Sequence, residues 1–124
     1  GHSHCGAIRA CYEGVPDEAR ALKSWLELAQ DAVLPVQACP EACRRTEERS
    51  IVLQLERLME YPMVRREVEA GHLTLHGWHY VIEDGAVHVF DAQQGAFVSA
   101  ASSTHTGTGP YAPYVEHDGQ ILTD

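Results

Sequence analysis

The chain has 124 residues, a length that allows one domain with one modest hydrophobic core. Apolar residues make up 44% and charged residues 22% of the chain, which excludes the profile of a disordered protein. Eighteen acidic against nine basic residues give a net charge of −9, and the last basic residue is Arg66. Because nucleic-acid affinity rests on clustered Lys and Arg, we expect no nucleic-acid partner. The apolar runs are shorter than the roughly 18 residues of a membrane helix, so we expect no membrane partner.

All four cysteines lie within the first 43 residues of the chain: Cys5, Cys11, Cys39 and Cys43. A small secreted domain stapled by disulfides usually spreads its cysteines along the sequence, so this placement favours a reducing compartment in which thiols are available to a metal. The chain also opens without the basic and apolar regions of a signal peptide. We therefore expect a cytoplasmic location.

The first part of the chain predicts two helices. Residues 7–12 predict one or two helical turns that begin directly after Cys5 and stop at Gly14. Residues 17–36 predict a longer helix that ends near Pro35, because apolar residues recur there at steps of three and four. The predicted apolar face consists of Leu22, Trp25, Leu26, Ala29 and Val33.

Two further helices are predicted to begin at prolines. Cys39 can cap a helix whose first residue is Pro40, since the N–H that proline lacks would be unpaired there. The apolar stripe of this helix continues to residue 61 and consists of Ile51, Leu55 and Leu58. Pro62 opens a short helix that ends at Gly71. Its inward residues are predicted to be Val64 and Val68.

From residue 73 the apolar period changes to two. Residues 73–83 and 86–91 are rich in β-branched and aromatic residues and flank Asp84-Gly85, which favours a two-residue turn, so they predict a β-hairpin. Such a turn would pair Val81 with His88 and His79 with Phe90. Farther on the sequence loses its apolar period, so residues 99–124 are expected to form a flexible tail.

The opening His2-Ser3-His4-Cys5-Gly6 is the most specific indication of chemistry. His2 and Cys5 are separated by two residues, so both side chains can turn toward one point, and an imidazole with a thiolate is a common half of a zinc site. A helix that starts after Cys5 would direct its free N–H groups at the thiolate and favour the ionised form. A flexible terminus with stray His and Cys residues would show the same pattern, which is weak by itself.

The other candidate ligands are weaker. Cys39 and Cys43 lie four residues apart and could share a helix face, but a helix cap and a small buried thiol explain them better. Joined by His2 and Cys5, they would form the ligand set of a structural zinc site, which is a minor alternative. The predicted hairpin register does not bring three imidazoles together, so an ordinary strand role is favoured for His72, His76, His79 and His88.

Several separated segments resemble the β-class carbonic anhydrases. The first ten residues are similar to the family's second zinc motif, Gly-His-Ser-x-Cys-Gly followed by a helix. Three later segments resemble the later helices and final hairpin of the family and follow the same order. They are Val-Leu-Gln-Leu at 52–55, Tyr-Pro-Met-Val at 61–64 and Leu-His-Gly-Trp-His-Tyr-Val-Ile-Glu-Asp-Gly at 75–85. The resemblance covers about residues 1–97.

The resemblance implies a site as well as a fold. It makes His2 and Cys5 zinc ligands, directs the backbone N–H of Gly6 at an aspartate, and turns His4 away from the metal. In the family the third ligand is a Cys on an earlier strand, inside a Cys-x-Asp-x-Arg motif. None of the four cysteines here has Asp two residues later. The expectation is therefore that the chain is the C-terminal portion of such an enzyme and that the Asp and Arg lie outside these residues.

We therefore expect an α/β fold in which helices pack on a small, mostly parallel sheet with a C-terminal antiparallel hairpin at its edge, in a domain of residues 1–98. The implied function is the zinc-dependent, reversible hydration of CO2 to bicarbonate, which the 124 residues alone would not perform. A homo-oligomer located in the cytoplasm or a bacterial microcompartment is implied in the same way. The alternative is a non-catalytic scaffold or partner-binding domain that kept the fold, with or without a structural zinc.

Overall fold

A computed structural model describes residues 1–101 of the chain. The helices and strands follow one another in this order: α1 (Gly6–Glu13), α2 (Arg20–Leu26), a 3₁₀ helix (Glu27–Ala32), α3 (Pro40–Met59), α4 (Pro62–Glu69), β1 (Trp78–Val81), β2 (Ala86–Asp91) and β3 (Ala96–Ser99). Within this part of the chain, no helix is both long and apolar enough to cross a bilayer. The helices and the sheet together form the α/β arrangement that the sequence predicts.

The three strands form one antiparallel sheet in the order β1-β2-β3. The prediction of a mostly parallel sheet is therefore not confirmed for residues 1–101. Short loops join the consecutive strands, and such loops can only connect antiparallel neighbours, because a parallel connection needs a crossover of a dozen or more residues. A parallel element is present as an isolated bridge between His2 and Tyr80, which places the start of the chain beside β1.

The predicted hairpin is present, but its predicted register is wrong. β1 and β2 pair Val81 with Ala86 and His79 with His88, so the loop comprises residues 82–85. The Asp84-Gly85 pair does not form a two-residue turn by itself. The backbone N–H groups of both residues reach back to the carbonyls of Val81 and Ile82 at 3.3 Å, and Gly85 takes a φ of 60°.

The third strand is a feature that the sequence analysis did not predict. Asp91 ends β2 and accepts the backbone N–H groups of Gln93 and Gln94 at 2.9 and 3.2 Å, and Gly95 follows with a φ of 64°. This turn directs β3 back along β2. The strand extends to Ser99, which the sequence analysis assigned to the tail, and the tail from residue 102 onward lies outside the described residues.

The prediction of one helix over residues 17–36 is wrong. The structure has the short α2 followed by the 3₁₀ helix, whose three residues per turn rotate the apolar face away from the α-helical stripe. Leu22 and Trp25 of the predicted face lie on α2 and are 43% and 58% exposed, whereas Leu26 of the same face is buried. Ala32 and Leu34, which were not part of the predicted face, are also buried.

Side chains from α3 hold the 3₁₀ segment by its carbonyl groups. Arg49 donates from Nε to the Ala32 carbonyl at 3.0 Å, and Arg57 donates to the Leu28 carbonyl. These long-range bonds satisfy backbone groups that a regular α-helix would have paired internally.

The helices predicted to begin at prolines are confirmed. Cys39 caps α3, its Sγ accepting the Ala42 backbone N–H at 3.3 Å, and Pro40 is the first helical residue. Pro62 likewise opens α4, and the chain leaves that helix at Gly71 with a φ of 76°. The two helices and the sheet share one core, which consists of Val52, Leu55, Val68, Leu75 and Phe90.

Gly77 lets the chain before β1 approach this core closely. A Cβ at Gly77 would lie 3.0 Å from side-chain atoms of Ile51 and Leu55 and 3.3 Å from the Cβ of Phe90. The Gly77 carbonyl accepts the Phe90 N–H at 2.8 Å, so the backbone there cannot move away without losing a ladder bond. A glycine at this position is therefore required by packing.

We expect Gly77→Ala to lower the free energy of unfolding by about 1–3 kcal/mol through overpacking. Urea denaturation monitored by circular dichroism would measure it. Gly6→Ala is the matched control, because a Cβ at Gly6 would meet no atom within 4 Å, and its unfolding midpoint should not fall. An unchanged midpoint in Gly77→Ala would contradict the packing argument.

Candidate metal centre

Ser3 anchors the start of the chain to β1. Its backbone N–H donates to the Tyr80 carbonyl at 2.8 Å, and its Oγ accepts the Ile82 backbone N–H at 2.9 Å. The hydroxyl of Ser3, which is buried, in turn donates to the Glu83 carboxylate at 2.9 Å. The Ser3 backbone and side chain are thus both held by the hairpin, which sets where His2 and Cys5 begin.

His2 has one ring nitrogen committed and the other open. Its Nδ1 lies 2.8 Å from the Ser3 carbonyl oxygen. Because a carbonyl oxygen only accepts, Nδ1 carries the hydrogen, and a neutral ring then has its lone pair on Nε2. Metal-binding histidines commonly donate their second ring nitrogen to a backbone carbonyl in this way, so Nε2 of His2 is available as a ligand.

His4 turns toward the hairpin loop. It has a φ of 55°, a left-handed conformation that reverses the chain between the bridge at His2 and the start of α1. Its Nε2 contacts the Glu83 carboxylate, which also accepts from Ser3. Hydrogen bonds from its own backbone N–H, from Ser3 and from His4 hold the pKa of Glu83 below its ordinary value. Two consecutive residues of the predicted motif therefore share one carboxylate.

Cys5 occupies the position immediately before α1. Its backbone is extended, with a φ of −65° and a ψ of 116°, and the first turn of α1 has no side-chain cap. The free backbone N–H groups of the first turn of α1 and the positive end of its dipole therefore lie beside the half-buried thiol. Gly6 begins the helix, and the space where its Cβ would lie is open.

A buried carboxylate bonds to the backbone of Cys5 and is in turn bonded to a buried imidazole. Oε1 of Glu47 accepts the Cys5 backbone N–H at 3.2 Å, and Oε2 accepts from Nε2 of His79 at 3.0 Å. Glu47 and His79 are only 4% and 0% exposed. Burial lowers the pKa of His79 below its ordinary value, and the hydrogen bond with Glu47 acts in the opposite direction.

The sequence analysis missed this pair. It assigned His79 an ordinary strand role and did not consider Glu47. The inward positions of β1 alternate and include His79, and Glu47 precedes Ile51 by four residues on the buried stripe of α3. The sequence offered two indications of this pair. One is a charged residue in line with the apolar face of a helix, and the other is a histidine on the inward face of a strand.

Two cavities meet at Cys5. A cavity of about 360 Å³ is bordered by His2 and Cys5 and by apolar residues that include Trp25, Leu26 and Ile51. A second cavity, of about 740 Å³, is bordered by Cys5 and Gly6 on one side and by Cys39 and Cys43 on the other. The predicted ligands His2 and Cys5 therefore face a common space.

The structure does not assemble the four-ligand alternative. Cys39 and Cys43 border the cavity that His2 does not, and the Cys39 thiol caps α3. Within residues 1–101, no three side chains of His, Cys, Asp or Glu converge as a metal site. The other candidate imidazoles do not form a group of three: His79 lies opposite His88 in the sheet, but His72 pairs with Glu67 at 3.2 Å and His76 packs edge-on against Trp78.

Helices over a small sheet, with an imidazole and a thiol that border one cavity near the start of a helix, define an α/β domain with two side chains of the types that zinc prefers. The family model described as carbonic anhydrase matches residues 1–87. The chain therefore belongs to the β-carbonic anhydrase family.

Individual relatives agree with this assignment. Carbonic anhydrase 1 of Escherichia coli O157:H7 is 33% identical over 113 residues, covering 83% of this chain and 50% of that protein. A carbonic anhydrase of Pseudomonas aeruginosa is 36% identical over 107 residues, covering 82% and 49%. A solved structure titled as that of the β-carbonic anhydrase CcaA superposes with a TM-score of 0.72 at 30% identity, covering 80% of this chain and 48% of the other. The chain thus spans about half the length of the relatives it matches.

Proposed function

We propose that the chain supplies the His-x-x-Cys half of a zinc-dependent β-carbonic anhydrase, which hydrates CO2 reversibly to bicarbonate and a proton. The observation that carries this proposal is the arrangement of His2 and Cys5. Both border one cavity, the Nε2 lone pair of His2 is left open by the bond from Nδ1 to Ser3, and the Cys5 thiol lies at the start of α1. Membership of the family supports the reaction class.

The donor set fits zinc in kind but is incomplete. Zinc in catalytic sites takes three protein ligands and keeps a fourth position open, and imidazole and thiolate are among its preferred donors. His2 and Cys5 would contribute one of each. The proposal therefore requires a second thiolate, which the family carries in a Cys-x-Asp-x-Arg motif that is not among these 124 residues.

When bound, zinc supplies a hydroxide nucleophile near neutral pH. The residues of this chain hold and orient the site. His2 is fixed by its bond to Ser3, and Cys5 is placed at the N-terminus of α1. Gly6 would offer its backbone N–H to the aspartate of the missing motif, and the open space beside Gly6 leaves room for that side chain.

Association with further polypeptide is part of the proposal. Several large apolar side chains are exposed on the described surface, including Trp25, Leu28, Trp78 and Ile82. Trp25 and Leu28 border the same cavity as His2 and Cys5, so covering them would also enclose the proposed site. We therefore propose a homo-oligomer, with CO2 and bicarbonate as the small-molecule partners.

Zinc content should depend on Cys5 and not on the strand histidines. We expect Cys5→Ser to lose most of the bound zinc, because one of the two proposed ligands is removed. Inductively coupled plasma mass spectrometry after dialysis would measure the loss. Cys11→Ser is the matched thiol control, since Cys11 contacts the Leu26 carbonyl, and His76→Ala and His88→Ala should also keep their zinc. Retention of zinc by Cys5→Ser would refute the ligand assignment.

The 124 residues alone should not hydrate CO2, and activity should return when a segment bearing Cys-x-Asp-x-Arg is fused or added. Loss of groups that only support ligands typically costs 10- to 100-fold, so loss of a ligand together with the Asp should exceed about 100-fold. Stopped-flow CO2 hydration would test both forms, with Cys5→Ser as the inactive control.

Two results would contradict this proposal. Full activity of the 124 residues would direct the search for a third ligand to Cys11, Cys39 and Cys43. A complemented protein that binds zinc at Cys5 but remains inactive would favour the non-catalytic scaffold.

The purified chain should associate in solution, because its exposed apolar side chains lower the free energy when they are buried between copies. Sedimentation velocity over a hundredfold range of protein concentration would reveal this as a rising weight-average coefficient. A single monomeric species at all concentrations would contradict the proposed association.

A further inference from the structure

We infer that Glu47 and His79 form a positioning pair that fixes the backbone of Cys5 and thereby aims its thiolate at the metal. The inference rests on the proposed function, because it assigns a role in the same site. Neither residue is proposed to touch the metal or the substrate, and both would act through Cys5.

The pair connects three elements that are distant in sequence. Glu47 lies on α3, 42 residues from Cys5, and His79 lies on β1, 32 residues from Glu47. Each carboxylate oxygen of Glu47 has one donor, the Cys5 N–H at 3.2 Å and the His79 Nε2 at 3.0 Å. The start of α1 is thus connected to the sheet through a single side chain of α3.

Both backbone groups of Cys5 are consequently committed. Its N–H donates to Glu47, and its carbonyl accepts the Arg9 N–H at 3.0 Å as the first bond of α1. The peptide units on either side of the Cys5 Cα cannot rotate without breaking one of these bonds. The direction of the Cα–Cβ bond is therefore set, and χ1 is the main remaining freedom of the thiol.

The burial of Glu47 makes the bond to Cys5 obligatory. A carboxylate withdrawn from water must keep its hydrogen-bond donors, because an unpaired buried charge is strongly unfavourable. Loss of the Cys5 N–H would leave Oε1 without a donor in an almost fully buried position. The same constraint that satisfies Glu47 therefore restrains Cys5.

The hydrogen bond from His79 holds Glu47 in place but leaves the other ring nitrogen of His79 unpaired. A carboxylate only accepts, so Nε2 of His79 carries the hydrogen, and Nδ1 is left buried with no hydrogen-bond partner among the described residues. An aliphatic residue would fill this inward position of β1 without an unsatisfied nitrogen. The ring also packs edge-on against Phe97 of β3, which fixes its plane.

Substitutions of similar shape separate positioning from packing. Glu47→Met keeps the length of the side chain but offers no oxygen acceptor, so it cannot accept from Cys5 or from His79. His79→Gln places an amide N–H₂ near the position of Nε2 and can still donate to Glu47. His79→Leu keeps bulk and removes the donor. Val89→Ala is the stability control, because Val89 is buried in β2 and contributes no polar group.

Two measurements on the full chain test the inference. Hydrogen exchange of the Cys5 amide, followed by NMR in the metal-free protein, should be at least tenfold faster in Glu47→Met and His79→Leu. It should stay within twofold of the unsubstituted rate in His79→Gln and Val89→Ala. With Co²⁺ as the probe, the thiolate-to-cobalt absorption should weaken or shift in the first two variants only, and their cobalt affinity should fall roughly 10- to 100-fold.

The outcomes distinguish this inference from the proposed function. Cobalt absorption that is unaffected by Cys5→Ser would overturn the proposed function and this inference with it. Absorption that depends on Cys5 but is unchanged in Glu47→Met and His79→Leu would overturn the positioning role alone. If those two variants fail to fold, long-range ¹H–¹⁵N spectra of the unsubstituted protein still decide. A hydrogen on Nε2 of a neutral His79 supports the pair, and a hydrogen on Nδ1 alone overturns it.

Discussion

The pairing of the first three residues with β1 is the contact on which the candidate site depends. Ser3 donates to the Tyr80 carbonyl, Tyr80 donates to the Gly1 carbonyl, and the two segments form a parallel bridge. Because the side chains of paired strands alternate between the two faces, this register determines which of His2, Ser3 and His4 face the core. It buries Ser3 and leaves the rings of His2 and His4 on the outer side. Without this pairing, the sequence His-Ser-His-Cys would be a chain of polar residues with no common geometry.

Two carboxylates also hold the start of the chain in place. Glu83, at the hairpin loop, accepts from Ser3 and contacts His4, and Glu47, inside the core, accepts from Cys5. The consecutive residues Ser3, His4 and Cys5 are therefore held by two carboxylates. One acid is solvated and the other is buried, so the two contacts differ in strength. Water can replace the contact at Glu83, whereas the core offers no substitute for the one at Glu47.

The set of possible metal ligands explains why a chain that spans about half the length of its relatives can be assigned to a family without showing a complete metal site. His2 and Cys5 are side chains of the types that zinc prefers and border one cavity, yet no third side chain of suitable type joins them within residues 1–101. Cys39 and Cys43 lie across the larger cavity and serve the start of α3. The four thiols of the chain thus divide between a site at the start of α1 and roles in helix capping and packing. A metal centre that draws its ligands from separate segments of chain is fully defined only when all of those segments are present.

The sequence by itself determined what short-range chemistry controls. Proline preferences placed the starts of α3 and α4, and alternation identified the hairpin. The two-residue spacing of His2 and Cys5 before a helix drew attention to residues that border one cavity, and their role as ligands stays a prediction. The tertiary structure decided the rest. The hairpin register pairs His79 with His88, and part of the helix expected over residues 17–36 is a 3₁₀ helix. Glu47 accepts a hydrogen bond from His79 next to Cys5. Each of these depends on contacts between residues far apart in the chain. Their free energy comes from burial and hydrogen bonding in the assembled core, which outweighs the local preferences that the sequence displays.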